Sequence, residues 1–306
     1  MKKKFFIYII ATLSMLFWGL SFVWVKIVYQ YYRPFTVVTI RLLLASILLL
    51  IYQSIFKDRQ KVSISDIPKF ILLAFFEPFC YFLGESFGMQ YVSSTIASII
   101  IATIPVFAPI FSFIFYREKL SISGISGLII SVTGVILLVV DRNLNLSAPL
   151  KGILLLLFAV VAAIGYGIVA KKLTFSYGSV TIIKYQNGFG FFFFLPFFLI
   201  FDLNHFLSIK PDIRLISNIL ALTIFASVLA FILFTKVLRE LGINSANIFT
   251  NLIPIFTAIF SFLILKERFN LQKIVAIILV IAGVFVSQLD FKGRLKKFKK
   301  IISVRE

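Results

Sequence analysis

The sequence predicts an all-α polytopic membrane protein with ten transmembrane helices, arranged as two inverted five-helix repeats. Three observations predict this fold: the composition, a series of apolar runs of bilayer length, and an internal duplication. Hydrophobic residues make up 60% of the 306 residues and charged residues only 14%, whereas about a quarter of an average soluble domain is charged. This composition excludes a water-soluble globule, because too few polar residues are present to cover its surface.

Ten apolar runs have the length that a membrane-spanning helix needs, about 20 residues. In chain order they are 5–28, 35–56, 70–88, 94–116, 122–140, 152–170, 180–201, 215–235, 243–265 and 274–289. The basic start of the chain followed by an apolar run resembles a cleaved signal peptide, but the run is too long and no small-x-small site follows it. We therefore expect the first run to be retained as a helix.

The duplication appears when the chain is aligned with itself at a shift of 149 residues. Residues 97–141 then match residues 246–290 at fifteen positions without a gap. The matches include residue types that chance rarely pairs in an Ile- and Phe-rich chain: Pro105 with Pro254, Glu118 with Glu267, Gly134 with Gly283 and Asp141 with Asp290. We expect a first unit at 1–145 and a second at 146–291. Five helices per unit is an odd number, so the second unit enters the bilayer from the opposite side, as in transporters built from inverted repeats.

The net charge of +19 raises the question of a nucleic-acid partner. In the ten-helix topology, however, most of the basic excess falls on one side, in segments 57–69 and 292–306. Such an asymmetry is typical of the cytoplasmic side of a plasma-membrane protein of the bacterial type. We expect cytoplasmic termini, a tail at 292–306 that lies against anionic lipid headgroups, and no nucleic-acid partner.

Two carboxylates in the third run are candidates for substrate binding. Glu77, Tyr81 and Glu85 are spaced by four residues, so at about 100° per residue they share one sector of a helix. The equivalent positions of the second unit carry no carboxylate, which favours substrate or proton handling over a purely structural role. The alternatives are that Glu85 pairs with Arg41, as an ion pair between helices, and that Glu77 pairs with Lys184 or is hydrated from the cytoplasm.

Further candidates for the cavity wall lie in three other runs. Asn247 and Asn251 stand four residues apart in the ninth run, a spacing suited to binding a ligand or a neighbouring helix. Trp18 and Tyr166 are candidates for an aromatic wall, with ordinary core packing as the alternative. Arg41 is the candidate contact for an anionic group.

Two prolines are candidates for gating. Pro105 and Pro254 occupy corresponding places in the two units, where each interrupts the backbone hydrogen bonds of a helix and supplies a bend. In the fifth run, small residues form one thin stripe: Gly124, Gly127, Ser131 and Gly134. This stripe indicates close helix packing, either within the protomer or between the protomers of a homodimer.

Other chemistry is not indicated. The chain has one cysteine, Cys80, and one histidine, His205, so neither an internal disulfide nor a histidine-based metal site is expected. No Gly-rich loop precedes a Lys-Ser/Thr pair. We therefore expect a protein that is not an enzyme, with no catalytic residues, no cofactor and no metal, and with a small molecule as its substrate.

The chain resembles the ten-helix members of the EamA group of the drug/metabolite transporter superfamily over its entire length. The motifs that carry the resemblance are Trp18-Gly19, Arg41 in the second run, Ile-Pro-Val-Phe at 104–107, the turn at Glu118, Gly134, and their second-half counterparts. The resemblance implies export or exchange of amino acids, other metabolites, nucleotide-sugar-like compounds or drugs through a central cavity.

Proton coupling is not implied by this resemblance. The family's small four-helix relatives have a coupling carboxylate in the first helix, which this sequence lacks. If coupling occurs, Glu77 or Glu85 has to supply it.

The sequence thus predicts a secondary transporter that exports amino acids or similar zwitterionic or cationic amphipathic compounds by alternating access. A membrane enzyme is disfavoured, because the carboxylates are few and scattered. A non-transporting scaffold or channel-like protein is the remaining alternative.

Overall fold

A computed structural model describes residues 2–56, 60–107, 122–139 and 148–287. Every regular element within these ranges is helical. Among the described residues, seven helices are long and apolar enough to cross a membrane, and three shorter apolar helices coincide with the fourth, fifth and tenth predicted runs. The chain is therefore a multi-pass membrane protein. The count of ten spans stays a prediction, because residues flanking the three shorter helices lie outside the described ranges, as do Glu118 and the tail at 292–306.

The helices are numbered in chain order, interruptions included. In the first unit they are α1 (Lys2–Val28), α2 (Pro34–Ile55), α3 (Ile64–Gly88), α4 (Ser94–Phe107) and α5 (Ile122–Val139). In the second unit they are α6 (Leu150–Leu173), α7 (Ser179–Ser208), α8 (Ile213–Leu241), α9 (243–264) and α10 (Leu271–Ser287).

Local sequence signals set several helix ends. Pro34 occupies the first turn of α2, where its missing N–H would have no intrahelical partner in any case. The Asp212 carboxylate accepts a hydrogen bond of 2.7 Å from the backbone N–H of Leu215 and caps α8, as short polar side chains commonly do. Gly242 ends α8 with a φ of 80°, a conformation that glycine adopts without steric cost.

Both units contain interrupted helices at corresponding places. In α4, a turn at 102–103 precedes Pro105; in α9, a 3₁₀ turn at Phe249–Asn251 precedes Pro254. A break in the helix thus precedes each proline by a few residues, and the gating role of the two prolines stays a prediction. In α3, a π-helical stretch spans Phe75–Cys80, and its counterpart in α8 spans Leu222–Ala230.

Glu77 lies at the sharpest of these breaks. Its φ of −147° and ψ of 118° are extended rather than helical, as favoured for a residue that precedes a proline. The following residues, Tyr81–Gly88, are again α-helical.

The helices pack in a pattern that a two-fold exchange of the units preserves. Helix α1 packs against α8 and α9, α6 packs against α3 and α4, and the equivalent pairs α2–α7 and α5–α10 also pack together. Tyr31, which precedes α2, bonds to Asp212 at 2.7 Å. Gln60, which follows α2, bonds to the carbonyl of Ser176 after α6 at 2.8 Å. Since α2 connects these two regions, α1 and α6 end at opposite ends of the bundle, as inverted units require.

The small-residue stripe of α5 contacts α10 of the same chain. A Cβ atom added at Gly127 would lie 2.4 Å from the carbonyl oxygen of Gly283 and 2.4 Å from the backbone nitrogen of Ser287. One added at Gly134 would lie 2.8 Å from Val280. The stripe therefore packs within the protomer, and a homodimer stays a prediction.

Candidate functional site

A cavity lies between the two units, with walls from α1, α2, α3, α4, α6, α8 and α9. Its atom-free space is about 710 Å³, part of it continuous with solvent, and the centre of a water molecule can reach about 70 Å³. This space has room for several water molecules, or for a small ligand in their place. The charged and polar lining consists of Ser21, Arg41, Glu77, Tyr81, Glu85, Tyr166, Asn247 and Thr250, and the aromatic lining also includes Trp18, Phe22, Phe82, Phe231 and Phe234.

The structure brings most of the predicted binding residues together at this cavity. Seven of the eight residues proposed for substrate or ion contact line it: Trp18, Arg41, Glu77, Tyr81, Glu85, Tyr166 and Asn247. The two prolines do not line it, but the preceding residues, Ile104 and Ile253, do. The roles assigned to all these residues stay predictions.

Two carboxylates and one guanidinium group in the described lining of the cavity are buried. Glu77 is 7% exposed, Glu85 is 6% exposed and Arg41 is 3% exposed. The Tyr81 hydroxyl donates to Glu85 Oε1 at 3.2 Å, which preserves the one-turn spacing predicted for these two residues. Burying a charge in a membrane protein is costly and marks a functional site by default.

Arg41 is held by α8 and by an aromatic ring. Its Nε donates to Ser227 Oγ at 3.2 Å, and its guanidinium carbon lies 4.8 Å from the centroid of the Phe82 ring. Within the described ranges, no ion pair shorter than 4.0 Å joins Arg41 to Glu85. A direct ion pair between α2 and α3 is therefore not formed, although Arg41 and Glu85 share the cavity.

Lys184, the cation that the sequence offered as a partner for Glu77, lies on α7 and is not part of the cavity lining. Its Nζ is 4.6 Å from the centroid of the Tyr185 ring.

Asn251 is the predicted wall residue that does not line the cavity. It is 2% exposed, and in the described part of the chain neither polar atom of its amide has a hydrogen-bond partner. The 3₁₀ turn at Phe249–Asn251 turns the chain by about 120° per residue instead of 100°, so Asn251 loses the register with Asn247 that an unbroken helix would keep. Thr250 lines the cavity instead.

Aromatic rings from α1, α6 and α8 form a connected group in the lining of the cavity. The Trp18 ring lies 5.0 Å from the rings of both Phe231 and Phe234, in edge-to-face arrangements of 74° and 62°. The Tyr166 ring lies 6.1 Å from that of Phe231 at 84°. Such arrangements are the favoured geometry of aromatic pairs.

Sequence reasoning missed Phe82, Phe231 and Phe234 as lining residues. A signal for them was present, because the shift of 149 residues aligns Phe82 with Phe231 and Glu85 with Phe234. Both pairs line the cavity. Positions that are equivalent in inverted units are expected to face a site on the axis between them.

The described residues were predicted to hold no metal site. No cluster of three or more His, Cys, Asp or Glu side chains occurs there that could hold a metal ion.

Comparison with known proteins identifies the family. The profile of the EamA-like transporter family matches the chain twice, at residues 5–140 and 150–289. The chain belongs to the EamA-like transporter family. It is thus an EamA-type member of the drug/metabolite transporter superfamily, and the two matches follow the order of the two predicted units.

Individual relatives extend over nearly the whole chain. An uncharacterized transporter of Archaeoglobus fulgidus is 27% identical over 286 residues, which cover 94% of this chain and 98% of that protein. The uncharacterized transporter YetK of Bacillus subtilis is 29% identical over 295 residues, which cover 95% of this chain and 89% of YetK. A solved crystal structure superposes with a TM-score of 0.69 over 92% of this chain and 98% of its own, at 12% identity. That likeness shows the fold alone.

Proposed function

We propose that this EamA-type protein is a secondary transporter of small zwitterionic or cationic amphipathic metabolites, such as amino acids. In this proposal it exports them across a bacterial-type plasma membrane by alternating access, with both termini in the cytoplasm. The units at 1–145 and 146–291 move relative to each other, and the tail at 292–306 contacts lipid headgroups.

The observation that carries the proposal is the polarity of the cavity. Its lining includes the carboxylates of Glu77 and Glu85 and the aromatic group around Trp18. A ligand with an ammonium group and an apolar part would place the ammonium group at the carboxylates and the apolar part at the aromatic rings. An ammonium group also gains from the faces of aromatic rings.

Arg41 supports a zwitterionic ligand over a simple cation. A guanidinium group carries five N–H donors, and within the described residues its hydrogen bond is the single one from Nε to Ser227. Because Arg41 lines the cavity, its other donors are available to a carboxylate of the substrate. A bound zwitterion would then place its carboxylate at Arg41 and its ammonium group at Glu77.

Alternating access is supported by a contact between the units at one end of the bundle. Glu267, in the connection between α9 and α10, accepts hydrogen bonds from the Ser94 backbone N–H at 3.1 Å and from Thr95 Oγ1 at 2.7 Å. This pair of bonds fastens the second unit to the start of α4 in the first. In the proposed topology these bonds lie at the outer face, and they break when the cavity opens outward.

The proposed cycle uses the helix breaks before Pro105 and Pro254 as bending points. Each break lies next to a cavity-lining isoleucine, Ile104 or Ile253, so a bend there would change the shape of the cavity. Export as the direction of transport is proposed from the family resemblance.

The test is uptake of labelled L-amino acids into proteoliposomes, with and without an imposed pH gradient. The proteins compared are the wild type, Glu77→Gln and a control, Glu240→Gln, which removes an exposed carboxylate near the end of α8. We expect uptake by the wild type and by Glu240→Gln, and a loss of at least tenfold in Glu77→Gln.

Each outcome decides a part of the proposal. Uptake that follows the gradient in the wild type and fails in Glu77→Gln establishes a proton-coupled carrier with Glu77 in its path. Uptake that is indifferent to the gradient indicates exchange or facilitated diffusion. If the wild type transports no amino acid, the proposed substrate class is wrong.

A further inference from the structure

Gly167 occupies a position where a side chain would meet open space. It lines the cavity from α6, and a Cβ atom added there would have no neighbouring atom within 4 Å. Other glycines of the bundle differ in this respect. A Cβ atom at Gly165 would lie 2.6 Å from the ring of Phe76, and one at Gly19 would lie 2.6 Å from Phe256 Cβ. A side chain at Gly19 would overlap the base of the Phe256 side chain and one at Gly165 would displace the Phe76 ring, whereas one at Gly167 would displace nothing.

The internal duplication pairs Gly167 with the largest side chain of the cavity. The shift of 149 residues aligns Gly167 with Trp18, and both residues line the cavity. On the α1 side, the indole of Trp18 fills the wall and contacts Phe231 and Phe234. On the α6 side, no atom lies within 4 Å of the place that a Cβ atom at position 167 would take. The two-fold related walls therefore differ in volume, and the free space lies beside α6.

Gly167 lines the same cavity as Glu77. Gly165, one position before Tyr166, contacts the Phe76 ring, and Phe76 immediately precedes Glu77. Tyr166 and Gly167 of α6 and Glu77 of α3 all line the cavity, and α6 packs against the Phe75–Cys80 stretch that contains Glu77.

We propose that Gly167 determines the size of the substrate, because the space above it receives the apolar side chain of a zwitterionic metabolite whose ammonium group faces Glu77. This inference rests on the proposed function and deepens it by assigning a residue to size selection. A side chain introduced at position 167 shortens the space and excludes large substrates while small ones still enter.

The experiment measures competition in proteoliposomes by L-alanine, L-valine, L-leucine, L-phenylalanine and L-tryptophan against a labelled amino acid that the wild type takes up. The variants are Gly167→Ala and Gly167→Leu. The matched control is Gly188→Ala on α7, where an added Cβ atom also meets nothing within 4 Å but which is not a lining residue. Alanine is a better helix former than glycine, so Gly167→Ala is expected to fold; its unfolding temperature checks this.

For each competitor the assay gives the concentration that halves uptake. We expect Gly167→Leu to raise this concentration for L-phenylalanine and L-tryptophan, relative to that for L-alanine, by about tenfold or more. The reason is that a single methylene in an apolar pocket is worth about 10- to 200-fold in discrimination. Gly167→Ala should show a smaller change in the same direction, and Gly188→Ala should keep the wild-type ratio. An unchanged ratio in folded, active Gly167 variants would overturn the inference and leave the transporter proposal intact. If the wild type takes up no amino acid, the proposed function fails, and the inference fails with it.

Discussion

Replacing Gly127 by alanine should destabilise the contact between α5 and α10. The Cβ atom would lie 2.4 Å from the Gly283 carbonyl oxygen, 2.4 Å from the Ser287 nitrogen and 2.5 Å from Ser287 Cβ. Two of these atoms belong to the backbone, so a side-chain rotation cannot relieve the overlap. Ordinary contact begins at 3.4 Å, and the difference of 3.4 − 2.4 Å means that the two helices must separate by about 1 Å.

The expected loss of stability follows from two opposing effects. Overpacking of a tight interface costs about 1–3 kcal/mol. The better helix propensity of alanine offsets up to about 1 kcal/mol of this in an aqueous helix. We therefore expect Gly127→Ala to lower the free energy of unfolding by about 1–2 kcal/mol.

The single cysteine of the chain supplies the assay. Cys80 is buried, so a thiol-reactive fluorescent dye added to protein in detergent reports thermal unfolding. Gly188→Ala is the control, because its added methyl group meets no atom within 4 Å. The reasoning is refuted if Gly127→Ala unfolds at the same temperature as the wild type and the control.

Three further predictions concern single contacts. Glu267→Gln weakens the bond to Thr95 by removing the carboxylate charge, and should speed amide hydrogen exchange at the start of α4, measured by mass spectrometry. Unchanged exchange there would count against the view that Glu267 holds the two units together. The bonds from the Leu215 N–H and from Tyr31 lower the pKa of Asp212. The ionised Asp212 side chain therefore stabilises the fold at pH values above its ordinary pKa of about 3.9. This stabilisation is lost as the pH falls through the lowered pKa. Asp212→Asn should therefore reduce the unfolding temperature at pH 7 but not at the acid end of the titration; a deficit that grows on acidification would refute this. Trp18→Leu removes two edge-to-face contacts worth about 0.5–1.5 kcal/mol each and should lower the unfolding temperature. An unaltered unfolding temperature would contradict the contacts of Trp18 with Phe231 and Phe234.

The sequence predicted the acidic side of the cavity because that side depends on local spacing. Tyr81 and Glu85 are one helical turn apart in both the sequence pattern and the structure, where their side chains are bonded. Glu77 reaches the same cavity even though the backbone leaves the helix there. The residue after Glu77 is Pro78, and a proline removes the backbone donor that the helix needs.

The sequence could not predict the aromatic side with the same certainty. The chain has 38 phenylalanines, and their types and spacings do not distinguish a ring that faces lipid from one that faces the cavity. Phe231 and Phe234 contact Trp18 only because α8 packs against α1, a contact between residues more than two hundred positions apart. The internal alignment pointed to Phe234, because it pairs Phe234 with the candidate residue Glu85.

Long-range polar contacts were also beyond sequence reasoning. The partner of Arg41 is Ser227, on a helix of the other unit, whereas the charges alone suggested Glu85. The displacement of Asn251 from the cavity wall follows from the 3₁₀ turn before Pro254. The proline predicted a bend, but the shift in register that comes with it depends on how α9 packs.

The most direct test of the central claim, that substrate occupies the cavity between the two units, is protection of a cysteine placed in that cavity. Gly167→Cys adds a thiol where open space exists, and the wild type gives the background labelling of buried Cys80. We predict that a water-soluble thiol reagent modifies Gly167→Cys in proteoliposomes, and that an amino acid transported by the wild type slows this modification in proportion to its occupancy. Modification at the same rate in the presence of a saturating transported substrate would contradict the account, because the substrate would then pass elsewhere.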